Sequence, residues 1–282
     1  MIAHGRILLI AALGLLAFAR ASAAAPASEP LVIGDTFKLE SKILGETRRI
    51  NVYPPPGYAG SDLRVPVLYM PDGGLAEDFL HVAGLVEVLV GDNSMRPFLV
   101  VGIENTERRR DLTPPTDNAE DKKIAPRVGG SAAFRKFIRE ELMPEVKKRY
   151  RTTDETAIVG ESLAGLFVVE TFFLEPDLFD TYIAIDPSLW WNDHRVVDDA
   201  AASLYARPRV GKSLYIAASS EQRGPGDPVQ SLADVLRADA HAAGVRWHYE
   251  KMPDEKHATI YHPAALKAFR MMLAPTAASA PK

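Results

Sequence analysis

The chain has no cysteine among its 282 residues. Disulfides, thiolate metal sites and a cysteine nucleophile are therefore excluded. Basic residues do not predominate either. The formal net charge is −4, and without a basic stripe the chain is a poor candidate for nucleic-acid binding. No His-Glu-x-x-His pair, no histidines at helical ligand spacing, no glycine-rich phosphate loop and no dinucleotide fingerprint occur. The reading is accordingly of a protein with no metal and no cofactor. There is no internal repeat. Apolar runs are short: the longest at the N-terminus, Ile7 to Phe18, has about a dozen residues, fewer than the ~20 a membrane-spanning helix needs.

That run has the layout of a secretory leader. Arg6 precedes it, and Ala21-Ser22-Ala23 offers a small-residue cleavage site. Residues 1–23 are read as a signal peptide, which implies export to a periplasm or exterior without stable membrane insertion after its removal. Residues 24–34 are read as a linker, 35–273 as one folded domain, and the Ala/Pro/Ser-rich segment 274–282 as a disordered tail. With 47% hydrophobic and 25% charged residues, the domain has an ordinary composition for a globular core that needs no staples.

The order of predicted elements points to an α/β architecture. Thr36 to Leu44 and Thr47 to Tyr53 read as an antiparallel hairpin turning at Gly45-Glu46. Strands follow at Val65–Met70, Phe98–Ile103, the run up to Val159, Tyr182–Ile185, Ser213–Ala218 and Val245–Glu250. Helical periods lie between them: Leu75–Val90, a stretch from Ser131 that Pro144 interrupts, His194–Tyr205, Val229–Ala243 and Pro263–Leu273. Ser131 is expected to cap its helix. Such an alternation predicts a mostly parallel, twisted sheet with helices on both faces. Ligands then bind beyond the carboxyl ends of the strands. The segment from Glu104 to Gly130 is polar, broken by proline and without a clear period, the mark of a functional loop.

Within this frame Gly160-Glu161-Ser162-Leu163-Ala164-Gly165 is the most informative stretch. An apolar strand runs into a serine, and an apolar helix leaves it, which is the strand–turn–helix setting that raises a nucleophilic hydroxyl above a sheet. A serine needs a base and oxyanion donors. In this arrangement the chain order is serine, acid, histidine. His257, in the loop after the last strand, is the expected base. His262 abuts Pro263 at a helix start, and His241 and His248 lie within elements. The acid is expected after Ser213–Ala218. Glu221 is favoured there for its nearness to the strand end, with Asp227, before Pro228, reading also as a helix cap, and no acid at all as the remaining option. The expected oxyanion donors are the N–H groups of Leu163 and Gly74. Arg110 is the candidate for holding an anionic group, although acidic residues crowd the same segment. Trp190 and Trp191 are candidates for an aromatic wall, or simple hydrophobic cover.

Four segments together resemble one family: Tyr69-Met70-Pro71-Asp72-Gly73; Val101-Gly102-Ile103-Glu104-Asn105-Thr106 with Arg110-Asp111-Leu112-Thr113-Pro114; Gly160 to Phe167; and Asp186-Pro187-Ser188-Leu189-Trp190-Trp191. They are similar to the esterases of the α/β-hydrolase fold that include siderophore (enterobactin-type) esterases. The resemblance covers roughly residues 35–272 and implies hydrolysis of a small-molecule ester with Ser162 and His257 in the catalytic roles. It does not name a substrate. Two other readings use the same residues: an acyltransferase with an alcohol as acceptor, and an inactive hydrolase fold serving as a binding protein.

Overall fold

The computed structural model describes residues 28–124, 127–207, 209–222, 226–241 and 243–275. The expected leader, the linker before residue 28 and the tail after residue 275 lie outside them. Residues 28–33 carry no regular secondary structure, and Gly34 begins the compact unit.

The hairpin is present. Strand β1 (Asp35–Ser41) pairs antiparallel with β2 (Glu46–Tyr53). Its turn closes with the Gly45 N–H on Ser41 O at 3.0 Å, and Gly45 takes φ +67°, which only glycine adopts freely. Then come β3 (Val65–Pro71), helix α1 (Phe79–Gly91), β4 (Leu99–Ile103), α2 (Arg108–Leu112), α3 (Ala119–Ile124) and α4 (Ser131–Phe137). After α4 the chain continues through a π turn at Ile138–Leu142 into α5 (Met143–Arg149). The second half reads β5 (Thr152–Glu161), α6 (Leu163–Leu174), β6 (Thr181–Ile185), α7 (Arg195–Asp198), α8 (Ala200–Ala206), β7 (Ser213–Ser219), α9 (Pro228–Asp239), β8 (Arg246–Met252) and α10 (Tyr261–Met272). The eight strands form one sheet in the order β1-β2-β4-β3-β5-β6-β7-β8. Pairing is antiparallel at β1/β2 and β2/β4 and parallel from there on. This is the α/β-hydrolase fold that the sequence predicts.

The central strands read as unbroken apolar runs because both faces are buried. Val67 and Tyr69 of β3 point into one core, where α4 and α6 bring Phe134, Phe137, Leu166 and Val169. Their neighbours Leu68 and Met70 point into the other, where α1 and α10 bring Phe79, Val82, Ala264 and Phe269. A period of two thus places alternate residues on opposite faces.

Three local expectations need correction. Helix α1 starts at Phe79 and not at Leu75, because the preceding residues fold into a turn: Asp78 N–H meets Asp72 O at 3.0 Å, and Leu75 stays 56% exposed. Ser131 does not cap α4; Gly130 holds that position, and the buried Ser131 hydroxyl has no partner among the described residues. Pro144 marks the boundary at which α5 begins, as the sequence suggests. Without an N–H it cannot continue the four-residue ladder, and the chain widens before it, with Met143 N–H bonding Ile138 O five residues back. The segment 104–130 is not all loop, since α2 and α3 lie within it.

Candidate active site

Ser162 stands between β5 and α6 at φ +60°, ψ −120°. A non-glycine residue holds such a conformation only where its surroundings enforce it. Here Ser162 N–H bonds Ile185 O at 3.1 Å, and Ser162 O accepts from Leu166 N (2.9 Å) and Ser188 N (3.0 Å). The flanking small residues allow the tight turn. A β-carbon on Gly160 would lie 2.7 Å from the Ala164 backbone, and one on Gly165 would lie 3.0 Å from Pro187 Cα. Alanine at 164 with glycine at 165 therefore meets the same steric need on the helix side.

His257 arrives from the loop between β8 and α10. Its Nε2 lies 3.1 Å from Ser162 Oγ and its Nδ1 2.6 Å from Asp186 Oδ2. A carboxylate only accepts, so Nδ1 carries the proton and the lone pair of Nε2 faces the serine. Asp186 follows β6 directly, is fully buried, and takes φ +43°. Ser219, at the end of β7, donates its N–H to Asp186 Oδ1 (2.7 Å) and its hydroxyl to Oδ2 (2.9 Å). The hydrogen bond to Asp186 is the main cause that raises the His257 pKa, with Glu161, Asp186 and Glu221 adding through charge against the effect of burial.

The acid is thus misplaced in the sequence reading. Glu221 is not on the imidazole: its N–H goes to Ser219 Oγ at 3.2 Å, and its carboxylate adds only a charge at longer range. Asp186 wins because β6 lies next to β5, so the residue leaving β6 emerges beside the serine turn. Asp227 is the N-cap of α9, accepting from Val229 N and Gln230 N. The other histidines sit elsewhere: His248 stacks on Tyr215, and His262 lies beside His81.

The expected donors differ from each other. Leu163 is the first residue of α6, where a helical N–H has no partner within the helix. The Gly74 N–H is already donated to Glu77 Oε2 at 2.6 Å, and that of Gly73 to Ile103 O at 3.0 Å. The substrate-binding expectations fare unevenly. Arg110 is engaged elsewhere: it pairs with Glu46 (2.8 Å) and Asp111 (2.6 Å) in a partly buried network with Arg48. Arg109 donates to Ile124 O. Arg108 clasps Asp72 with two 2.7 Å bonds and is the arginine whose charge reaches Glu161. Trp191 is core, 1% exposed with its indole N–H on Pro114 O at 3.1 Å, while Trp190 is 41% exposed.

Glu161, which has no role in the sequence analysis, points at the same imidazole: its Oε1 is 3.2 Å from His257 Nε2. Burial pushes its carboxyl up to about 7, against the pull of His257 and Arg108. Asp78, nearby, is likewise pushed up to about 6 by burial and by Asp72. Among the described residues, no three histidine, aspartate or glutamate side chains are gathered as a metal ion would require. Nor is any described helix long and apolar enough to cross a membrane.

The chain is similar to known proteins in sequence and in fold. Residues 41–264 match the family described as "Putative esterase". The chain is 30% identical to the ferri-bacillibactin esterase BesA of Bacillus subtilis over 245 residues, 79% of this chain and 81% of that one. It is 38% identical to the siderophore triacetylfusarinine C esterase of Aspergillus fumigatus over 143 residues, 48% of this chain and 47% of that one. Among solved structures it is similar to an IroE-like serine hydrolase from Shewanella oneidensis, with a TM-score of 0.77, 28% identity, and coverage of 85% of this chain and 80% of that chain.

Proposed function

The chain belongs to this esterase family, and on that premise we propose that it is an exported serine esterase that cleaves siderophore-type esters through an acyl-enzyme. The observation that carries the proposal is the line Ser162 Oγ, His257 Nε2, His257 Nδ1, Asp186 Oδ2, with gaps of 3.1 Å and 2.6 Å. Both gaps are within hydrogen-bond reach, so one proton can move from serine to imidazole while the carboxylate holds the ring.

In this reading Ser162 Oγ attacks the ester carbonyl carbon as His257 Nε2 takes its proton. The oxyanion develops against the Leu163 N–H at the start of α6, where the helix dipole favours negative charge. Gly74 N–H contributes once Glu77 has moved off it. Collapse breaks the ester bond, and His257 returns the proton to the leaving alkoxide. Water then attacks the acyl-enzyme by the same route and releases the acid. The siderophore assignment rests on the names of the relatives, which describe ferri-bacillibactin and triacetylfusarinine C esterases. Export rests on the residues of the N-terminal segment. Trp190, half exposed after the Asp186 turn, is the proposed wall for an aromatic or acyl group.

The test is hydrolysis of an ester panel, ferric and iron-free siderophores included, followed by mass spectrometry. Wild type should release the acid and alcohol halves of at least one siderophore ester, and Ser162→Ala should lose activity by on the order of 10⁶-fold. A folded Ser162→Ala variant with the wild-type rate would refute the serine. Cleavage of simple esters alone would refute the siderophore assignment.

A further inference from the structure

Two carboxylates address the His257 ring, one at each nitrogen. Asp186 is fully buried and meets Nδ1 at 2.6 Å. Glu161 comes from the last residue of β5, has a side chain only 17% exposed, and reaches Nε2 at 3.2 Å. That is almost the distance from Nε2 to Ser162 Oγ, 3.1 Å. Glu161 and Ser162 are neighbours in sequence. The strained turn that lifts the serine also turns the preceding side chain toward the histidine.

We propose that Glu161 is a positioning residue that stabilises the protonated form of His257 from its Nε2 side and so raises the pH below which the enzyme loses activity. The inference rests on the serine-esterase reading above. When His257 accepts the serine proton, the ring becomes a cation between two carboxylates. Asp186 secures its orientation in every step. Ionised Glu161 favours the charged ring over the neutral one, since a neutral Nε2 offers a carboxylate no proton. A group that favours the charged ring more than the neutral one raises the ring's proton affinity and lowers the barrier to forming the ion pair.

The charges facing His257 can be named from each element around it. Glu161 leaves β5, Asp186 follows β6, and Glu221 follows β7; all three raise the ring's proton affinity. Arg108 of α2 and Asp78 before α1 act on Glu161 in opposite senses. Arg108 is in turn occupied by Asp72 through two 2.7 Å bonds, so it does not neutralise Glu161 by direct contact. The carboxyl of Glu161 is held up to about 7 by burial, so it and the imidazole titrate as a linked pair with two macroscopic steps.

The experiment is the pH profile of kcat/KM for p-nitrophenyl acetate between pH 4.5 and pH 9, with the His257 ring followed by NMR in the same buffers. Glu161→Gln keeps the size of the side chain and removes its charge. It should move the acid limb, and the NMR midpoint of His257, down by about one pH unit, and lower the plateau by about tenfold. Glu161→Asp, which keeps the charge, should stay closer to the wild-type limb than Glu161→Gln. A uniform loss of rate with both midpoints unmoved would overturn the inference and leave Glu161 a packing residue. If Glu161→Gln does not fold, a wild-type midpoint in folded Glu161→Ala overturns it equally. The underlying reading has its own control in the same assay. If Ser162→Ala matches wild type, the serine mechanism fails and this inference falls with it. If Ser162→Ala is inactive while the Glu161 variants keep the wild-type limb, only this inference fails.

Discussion

Replacing Asp186 by asparagine should disable the enzyme, whereas replacing Glu221 by glutamine should not. Three donors converge on the Asp186 carboxylate: Ser219 N–H on Oδ1, and Ser219 Oγ and His257 Nδ1 on Oδ2. Asparagine offers one acceptor oxygen and an amide NH₂. If the oxygen stays on Ser219 N–H, the NH₂ faces Nδ1 and can only donate to it. The ring proton then moves to Nε2, the atom that should receive the Ser162 proton, and the base is lost. A wrong tautomer of this kind costs on the order of 10⁴-fold in turnover, about 5 kcal/mol of barrier. Glu221 makes no contact with the ring and contributes only a distant charge. Its glutamine variant should stay within about threefold of wild type, since a screened charge at that range is worth a few tenths of a kcal/mol. The assay is kcat/KM on p-nitrophenyl acetate, with a thermal melt of each variant to show that it is folded. A folded Asp186→Asn variant within about tenfold of wild type, or a Glu221→Gln variant that loses a hundredfold or more, would refute the argument.

Four further outcomes follow from the structure. Gly160→Ala puts a β-carbon 2.7 Å from the Ala164 backbone, so it should cost about 1–3 kcal/mol and lower the Tm by several degrees. Arg110→Gln breaks pairs with Glu46 and Asp111; it should lower the Tm while leaving the ratio of KM values for anionic and neutral esters unchanged. Trp190→Ala should raise KM for aromatic esters with little change in melting, whereas Trp191→Ala should lower the Tm, because Trp191 is core. Glu161 has a folded-state pKa of about 7 against an ordinary 4.5, so the folded chain holds that proton more tightly. Its contribution is full below the unfolded value and is lost as pH rises through about 7, so Glu161→Gln should raise the Tm at pH 8 relative to wild type and not at pH 4.

The fold was legible because its signals are local and repeated. Buried strands such as Val65–Pro71 and Leu99–Ile103 are continuous apolar runs, and the hairpin, the serine turn and the Asp227 cap each have a short-range steric or hydrogen-bonding cause. Ser162 and His257, which the structure brings within 3.1 Å, also have local placements: one sits in a turn only small residues permit, the other in the loop after the last strand. The partner of the imidazole depends instead on which strands are neighbours. Glu221 and Asp186 both leave strand ends, and chain order alone favours the later one. Only the sheet order, with β6 beside β5, brings Asp186 to the ring. The arginines failed for a related reason. Arg108, Arg109 and Arg110 are adjacent in sequence, but α2 sends them to Asp72, to Ile124 O and to Glu46, and no periodicity reveals partners that distant. Glu161 carries no local signal, because only the direction of the turn brings its carboxylate to the imidazole.

The most direct measurement is covalent labelling with a fluorophosphonate, read by intact mass and peptide mapping. A serine poised by His257 and Asp186 should take up one equivalent, located on the peptide that contains Ser162, and His257→Ala should abolish the uptake. An active wild-type protein that takes no label, or takes it on another residue, would contradict the account.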